Sequence, residues 1–127
     1  MSGAPPEHRR SAGRRAEATA VAWLEEREWT IVARNFHVRG GEIDLIAVHG
    51  DVLAFVEVRS RRSHTWGSPE ATIGARKIRR IVNAARHWLA RNGDGGKAIR
   101  FDVLALTGPP DRPEEVRHFP GAFDAGM

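Results

Sequence analysis

Apolar residues change period along this chain, and the changes mark out its elements. From Ala12 to Glu28 they recur in threes and fours, with Ala12, Ala16, Ala20, Trp23, Leu24 and Arg27 on one stripe. That spacing predicts an amphipathic helix packed through Trp23 and Leu24. Residues 1–11 are polar and proline-bearing, and read as a disordered basic tail. Alternation then takes over in three short runs, Thr30 to Val38, Glu42 to Val48 and Val52 to Ser60. Gly40-Gly41 and Gly50-Asp51 separate them, and both dipeptides suit two-residue turns because glycine supplies positive φ, so the runs predict an antiparallel meander. After a polar loop over Arg61 to Ser68, helical spacing returns from about Thr72 to Asn92, with an apolar stripe of Ile78, Ile81, Val82, Ala85, Trp88 and Leu89 and Gly93 as its stop. Ile99 to Leu106 reads as a further strand. Gly108 to Pro113 is a proline-rich loop, and Val116 to Phe123 is expected to dock Phe119 and Phe123 on the body.

The expected architecture is an α/β domain in an α+β arrangement: a central mixed sheet, with the meander in it, flanked by helices. At 127 residues there is room for one such domain. Its expected span is residues 12–123, with residues 124–127 as a short tail.

Composition narrows the chemistry. The absence of cysteine excludes disulfides, zinc–thiolate sites and iron–sulfur clusters. No run is apolar and long enough for a membrane span, and Met1 to Gly13 lacks the apolar centre of a signal peptide, so a cytoplasmic location is expected. The net charge is +4 and the pI about 10.9, and every basic residue except Lys77 and Lys97 is arginine. Arginine forks match phosphate oxygens, which suits a nucleic-acid partner; genome-wide replacement of lysine by arginine would give the same count. No phosphate-binding glycine loop, Gly-x-Ser-x-Gly elbow or paired histidine spacing is present.

Register points to the candidate site. If Gly50-Asp51 closes a two-residue hairpin, cross-strand partners sum to 101, which sets Asp44 opposite Glu57, Glu42 opposite Arg59, Ile46 opposite Phe55 and Val48 opposite Leu53 on one face. Across Gly40-Gly41 the sum of 81 sets His37 opposite Asp44 and Arg39 opposite Glu42. Facing carboxylates repel unless something neutralises them, and a hard divalent cation such as Mg²⁺ or Mn²⁺ takes carboxylate oxygens while leaving positions for water and phosphate. Glu17, on the flank of the first helix, either reaches toward that metal or turns to solvent. The structural alternative is a Glu42–Arg59 cross-strand ion pair with Asp44 held by His37. Arg76, Lys77, Arg79 and Arg80 then form a solvated helix face, and Asp102 partners a nearby arginine.

Gly41-Glu42-Ile43-Asp44-Leu45-Ile46 and Phe55-Val56-Glu57-Val58-Arg59-Ser60-Arg61, in order with Gly13-Arg14-Arg15-Ala16-Glu17 and Arg100-Phe101-Asp102-Val103, resemble the signature of the YraN-like family of predicted endonucleases. That family is itself similar to archaeal Holliday junction resolvases of the PD-(D/E)xK, restriction-endonuclease-like superfamily. The resemblance spans about residues 13–123. It implies a restriction-endonuclease-like fold, Asp44 and Glu57 as metal ligands with Glu17 as the helical acid, and Arg59 in the place of the superfamily lysine. An arginine there stabilises charge on a phosphate but cannot act as a base. The implied activity is Mg²⁺- or Mn²⁺-dependent hydrolysis of DNA, selective for junctions or branches, in repair or recombination. Arg39, Arg61, Arg62, Arg76 and Arg80 would lie on the backbone and a homodimer would be the acting unit. The rival readings are a non-catalytic nucleic-acid-binding module and a repair-complex adaptor that keep the fold without the chemistry.

Overall fold

The computed structural model describes residues 6–62 and 73–126. It contains α1 (Pro6–Glu26), β1 (Thr30–Val38), β2 (Gly41–His49), β3 (Val52–Arg61), α2 (Ala75–Asn92), β4 (Ala98–Thr107) and β5 (Glu115–Phe119). The five strands form one sheet in the order β1-β2-β3-β4-β5. The β1–β2, β2–β3 and β4–β5 pairs are antiparallel. β3 and β4 run parallel, with α2 in the connection that this pairing requires.

Each helix covers one face. Ala16, Ala20 and Leu24 of α1 are buried against Leu45, Ala54, Val56, Leu104 and Leu106. Ile81, Val82, Ala84, Ala85 and Trp88 of α2 are buried against Ile43, Ile46, Leu53, Phe55 and Phe101. Of the anticipated stripes, Ala16, Ala20, Leu24, Ile81, Val82, Ala85 and Trp88 are buried, Trp23, Ile78 and Leu89 are half-buried, and Arg27 is exposed with its guanidinium 3.7 Å from the Trp23 ring centre, while the side chain of Ala12 lies outside those described. α2 stops at Gly93, whose N–H makes the last bond back to the Leu89 carbonyl and whose φ of 73° then turns the chain out of the helix.

Several boundaries differ from the sequence reading. α1 begins at Pro6 rather than near Ala12, so residues 6–11 belong to the helix; proline is well suited to a first helical position, and polar residues gave no stripe to reveal that turn. β5 was read only as a docking tail, being five residues long without strict alternation. Beyond it, Phe123 stacks on Phe101 at 5.1 Å and the Ala122 N–H donates to the Phe101 carbonyl, as expected of the C-terminal segment. Residues 63–68 of the polar loop and Thr72 lie outside the described residues.

The turns separate along physical lines. Gly50-Asp51 forms the two-residue hairpin expected, with His49 facing Val52 and a register summing to 101 from there to Leu45–Val56. The first hairpin is two positions out of the expected register. Val38 pairs with Gly41, so the turn is Arg39-Gly40, and His37 faces Glu42 instead of Asp44. Gly40 carries the positive φ of 86°, while Gly41 lies in the strand for another reason. A Cβ there would sit 2.2 Å from the Arg80 carbonyl oxygen and 3.0 Å from the Ala84 nitrogen, so Gly41 is what lets the α2 backbone approach β2.

Two substitutions separate these roles. Gly41→Ala forces α2 away from the sheet and is expected to cost about 2 to 3 kcal/mol. Gly50→Ala meets nothing within 4 Å and strains only a φ of 57°, at about 1 kcal/mol. Urea midpoints of the two variants check the order, and equal losses would refute the packing role of Gly41.

Candidate functional site

The regular ladder between β2 and β3 ends one step before the acidic pair. Leu45 faces Val56, and at the next position the Val58 N–H donates to Asp44 Oδ2 at 2.8 Å. The side chain of Asp44 thus does the work of a backbone acceptor. On the other side of β2 the ladder also skips a step: Arg34 faces Leu45 and Phe36 faces Ile43, and Asn35 between them has a φ of 52°. The alternation slips at this point. Ile43 and Ile46 both belong to the α2-side core while Leu45 belongs to the α1-side core. The expectation of one continuous face carrying Asp44, Ile46 and Val48 fails at this irregularity. Asparagine tolerates the left-handed conformation, and its position in mid-strand was the available signal.

Asp44 and Glu57 nevertheless come within hydrogen-bonding reach of each other, as the hairpin register implied. Glu57 is only 6% exposed, and its Oε1 is buried with no hydrogen-bond partner among the described residues. Burial first, and then the neighbouring Asp44 charge, push the Glu57 carboxyl up to about 8. Burial also raises Asp44, against the lowering effect of the Val58 N–H. At neutral pH the pair therefore retains one shared proton.

Glu17 faces the same cleft. Its carboxyl is raised by burial and by Asp44, and is held down in part by a hydrogen bond with Asn35. Glu17, Asp44 and Glu57 line a cavity of about 510 Å³ with Arg15, Arg61 and Arg62. Gly108 and Pro110 form its far wall, where Thr19 Oγ1 donates to the Pro110 carbonyl and the Gly108 N–H to that of Arg61.

The remaining residues divide sharply. Arg59 lies 4.0 Å from Glu57 Oε2 and does not meet Glu42, correcting the expected cross-strand pair. Glu42 is held from α2 instead: Arg80 grips both its oxygens, with Nη2 2.7 Å from Oε2, and Lys77 Nζ lies 3.1 Å from Oε1. The Arg80 hydrogen bonds pull the Glu42 carboxyl down to about 2. Arg80 therefore docks α2 on β2. Arg76 is exposed, and Arg39 is exposed in the β1–β2 turn. Asp102, fully buried, is bound by Arg100, His118 and the Gly121 N–H, a structural network well described as a partner for a nearby arginine.

Sequence reasoning missed Lys77 and Arg15. Lys77 reaches 3.7 Å from Glu57 Oε2, a contact between strand and helix that no local spacing reveals. Arg15 lines the cleft one residue before the anticipated Glu17.

Two close carboxyl groups, one with a buried oxygen lacking a donor, fit a hard divalent cation in their donor chemistry. Among the described residues, no group of three His, Cys, Asp or Glu side chains is placed to hold a metal ion. Any such ion would take further ligands from water or substrate.

A five-stranded mixed sheet between two helices, with an acidic pair opening on an arginine-rimmed cleft, makes this a mixed α/β domain compatible with the restriction-endonuclease-like fold. The chain belongs to the uncharacterised protein family UPF0102, whose pattern matches residues 16–106. It is similar to a UPF0102 protein of Anaeromyxobacter dehalogenans (strain 2CP-C), 49% identical over 123 residues that cover 97% of this chain and 91% of that one. A UPF0102 protein of Myxococcus xanthus (strain DK1622) is 42% identical over 127 residues, the full length of both. One from Geobacter metallireducens (strain ATCC 53774 / DSM 7210 / GS-15) is 39% identical over 117 residues, covering 92% and 95%. The YraN-like resemblance accordingly holds for the family. No helix among the described residues is long and apolar enough to cross a membrane.

The raised pair carries a pH signature. The native state keeps a proton on Glu57 up to about 8 that the unfolded chain loses near 4.5. Between those values the native state binds more protons, so the stability of the metal-free protein falls as pH rises. We expect a loss of at least about 1 kcal/mol between pH 5 and 8, and expect Glu57→Gln to flatten the curve. Urea unfolding at stepped pH measures it, and a wild-type curve already flat would show the carboxyls ionise freely.

Proposed function

We propose that this protein is a metal-dependent nuclease that hydrolyses phosphodiester bonds of DNA. The carrying observation is the buried Asp44–Glu57 pair, with its unpartnered Oε1, at the base of a cleft edged by Arg15, Arg61 and Arg62. Asp44 and Glu57 would hold Mg²⁺ or Mn²⁺, and Glu17 faces them from α1. A divalent cation bound there supplies neutralisation of phosphate charge and a lowered pKa for bound water. Asp44 is oriented by the Val58 N–H, which occupies one lone pair of Oδ2 and leaves Oδ1 as its freer oxygen. Arg59, permanently protonated, would stabilise charge on the phosphate without accepting a proton. Arg61 and Arg62 would contact the strand being cut, while Arg39 and Arg76 lie outside the cleft. Such contacts are blind to sequence, which favours recognition of DNA shape, such as a junction or branch. Arg80 is engaged by Glu42, and its part is to seat α2. The reading carries with it a cytoplasmic protein of repair or recombination, acting as a homodimer where both strands are cut.

The second reading, a nucleic-acid-binding module without chemistry, is favoured by Arg59 in the lysine place. Cleavage of labelled duplex, flap and four-way-junction DNA with Mn²⁺ or Mg²⁺ separates them. Wild type is expected to cut, and at limiting metal to cut more strongly as pH rises because the cation must displace the shared proton, and Asp44→Ala and Glu57→Ala are each expected to lose at least about a hundredfold. Equal cutting by all three proteins, or none, would remove the nuclease reading.

A further inference from the structure

The net positive charge of this protein comes from one helix. α2 carries Arg76, Lys77, Arg79, Arg80, Arg86 and Arg91 and no acidic residue, while the whole chain has a net charge of +4. The other 109 residues therefore sum to −2. Glu42 engages Lys77 and Arg80, and Arg91 lies 5.8 Å over the Phe36 ring. Arg76, Arg79 and Arg86 are exposed and make no ion pair among the described residues. By the helical period they fall within an arc of about 80° on the side opposite the buried stripe, over about 15 Å of axis. Asn83 Nδ2 donates to the Arg39 carbonyl on this flank, which brings the exposed Arg39 beside the row. These cations repel one another, and Arg76 also sits in the first turn, where the helix dipole disfavours it and no acid offsets it.

Three further observations select the partner. Single-strand binding needs large exposed rings for base stacking, and the one large ring of α2, Trp88, is buried in the core, while the single exposed imidazole of His87 is tied to the Asn83 carbonyl of its own helix. Protein interfaces centre on apolar anchors, and the only exposed large hydrophobic residue among the described ones is Val32 on β1. Finally, α2 starts at the site, with Lys77 3.7 Å from Glu57. Resting on the DNA reading above, we propose that the outer face of α2, with Arg39, holds the phosphate backbone of a duplex DNA arm that leads to the acidic cleft. The substrate is then duplex continuing into the strand that enters the cleft. Arg79 and Arg86 bind the arm and take no part in the cutting.

The test is fluorescence anisotropy of a labelled DNA duplex, and of one of its strands alone, with Ca²⁺ in place of Mg²⁺ and over a series of KCl concentrations. Arg79→Glu/Arg86→Glu is compared with wild type and with the charge-matched Arg27→Glu/Arg117→Glu, with melting curves checking that all three fold. The α2 variant is expected to lose at least about tenfold in duplex affinity and about 2 in the slope of log affinity against log salt. Its single-strand affinity and that of the control variant should stay within about threefold. Duplex binding equal to the control, while Asp44-dependent cleavage persists, would overturn this role of α2 and leave the nuclease reading standing. An equal loss on single strands would overturn the duplex assignment, and wild type that binds no DNA would overturn both.

Discussion

Two carboxyl groups on neighbouring strands, both out of water, are the constraint around which this domain is arranged. Such a pair is costly when ionised, and the structure answers with separate devices. The Val58 N–H fixes one oxygen of Asp44, a shared proton removes one charge, and Lys77 and Arg59 set cations near Glu57 Oε2. Both cations lie against Oε2, and no donor group among the described residues reaches Glu57 Oε1, so the compensation is incomplete on that side. A packed core has no need of such a pair, and its persistence at a cleft lined with arginine is what gives the site its chemical meaning.

The Gly-Glu-Ile-Asp segment becomes intelligible as one device. Gly41 admits the α2 backbone, Glu42 clamps Arg80 and Lys77, Ile43 enters the core under that helix, and Asp44 reaches the cleft. Each residue meets a different neighbour, and together they fix the distance between helix and sheet on which the Lys77–Glu57 contact depends.

What was legible in the sequence follows from how local each interaction is. The β2–β3 register could be worked out because a two-residue turn leaves a single pairing, and Glu57 follows from it. The β1–β2 register could not, since two adjacent glycines satisfy the turn equally well and only the approach of α2 tells them apart. The Glu42–Arg59 ion pair did not form because α2 supplies Glu42 with other partners, which lie 35 and 38 residues from it. Arg80 and Lys77 looked like solvated surface for the same reason. The break in alternation at Asp44 lies beside a left-handed residue, Asn35, and a rule of strict alternation has no place for it.

β1 has a further property that comes from its irregularities. It is an edge strand, with Val32 46% exposed, and an open edge of that kind is a ready template for strand addition by another chain. The register shift between Ile31 and Ala33 and the left-handed Asn35 interrupt the run of outward hydrogen-bonding groups, and Arg34 adds a charge among them. The residue that holds Glu17 toward the cleft thus also spoils the sheet edge for aggregation, so that straightening β1 would loosen the site and make the molecule self-adhesive together.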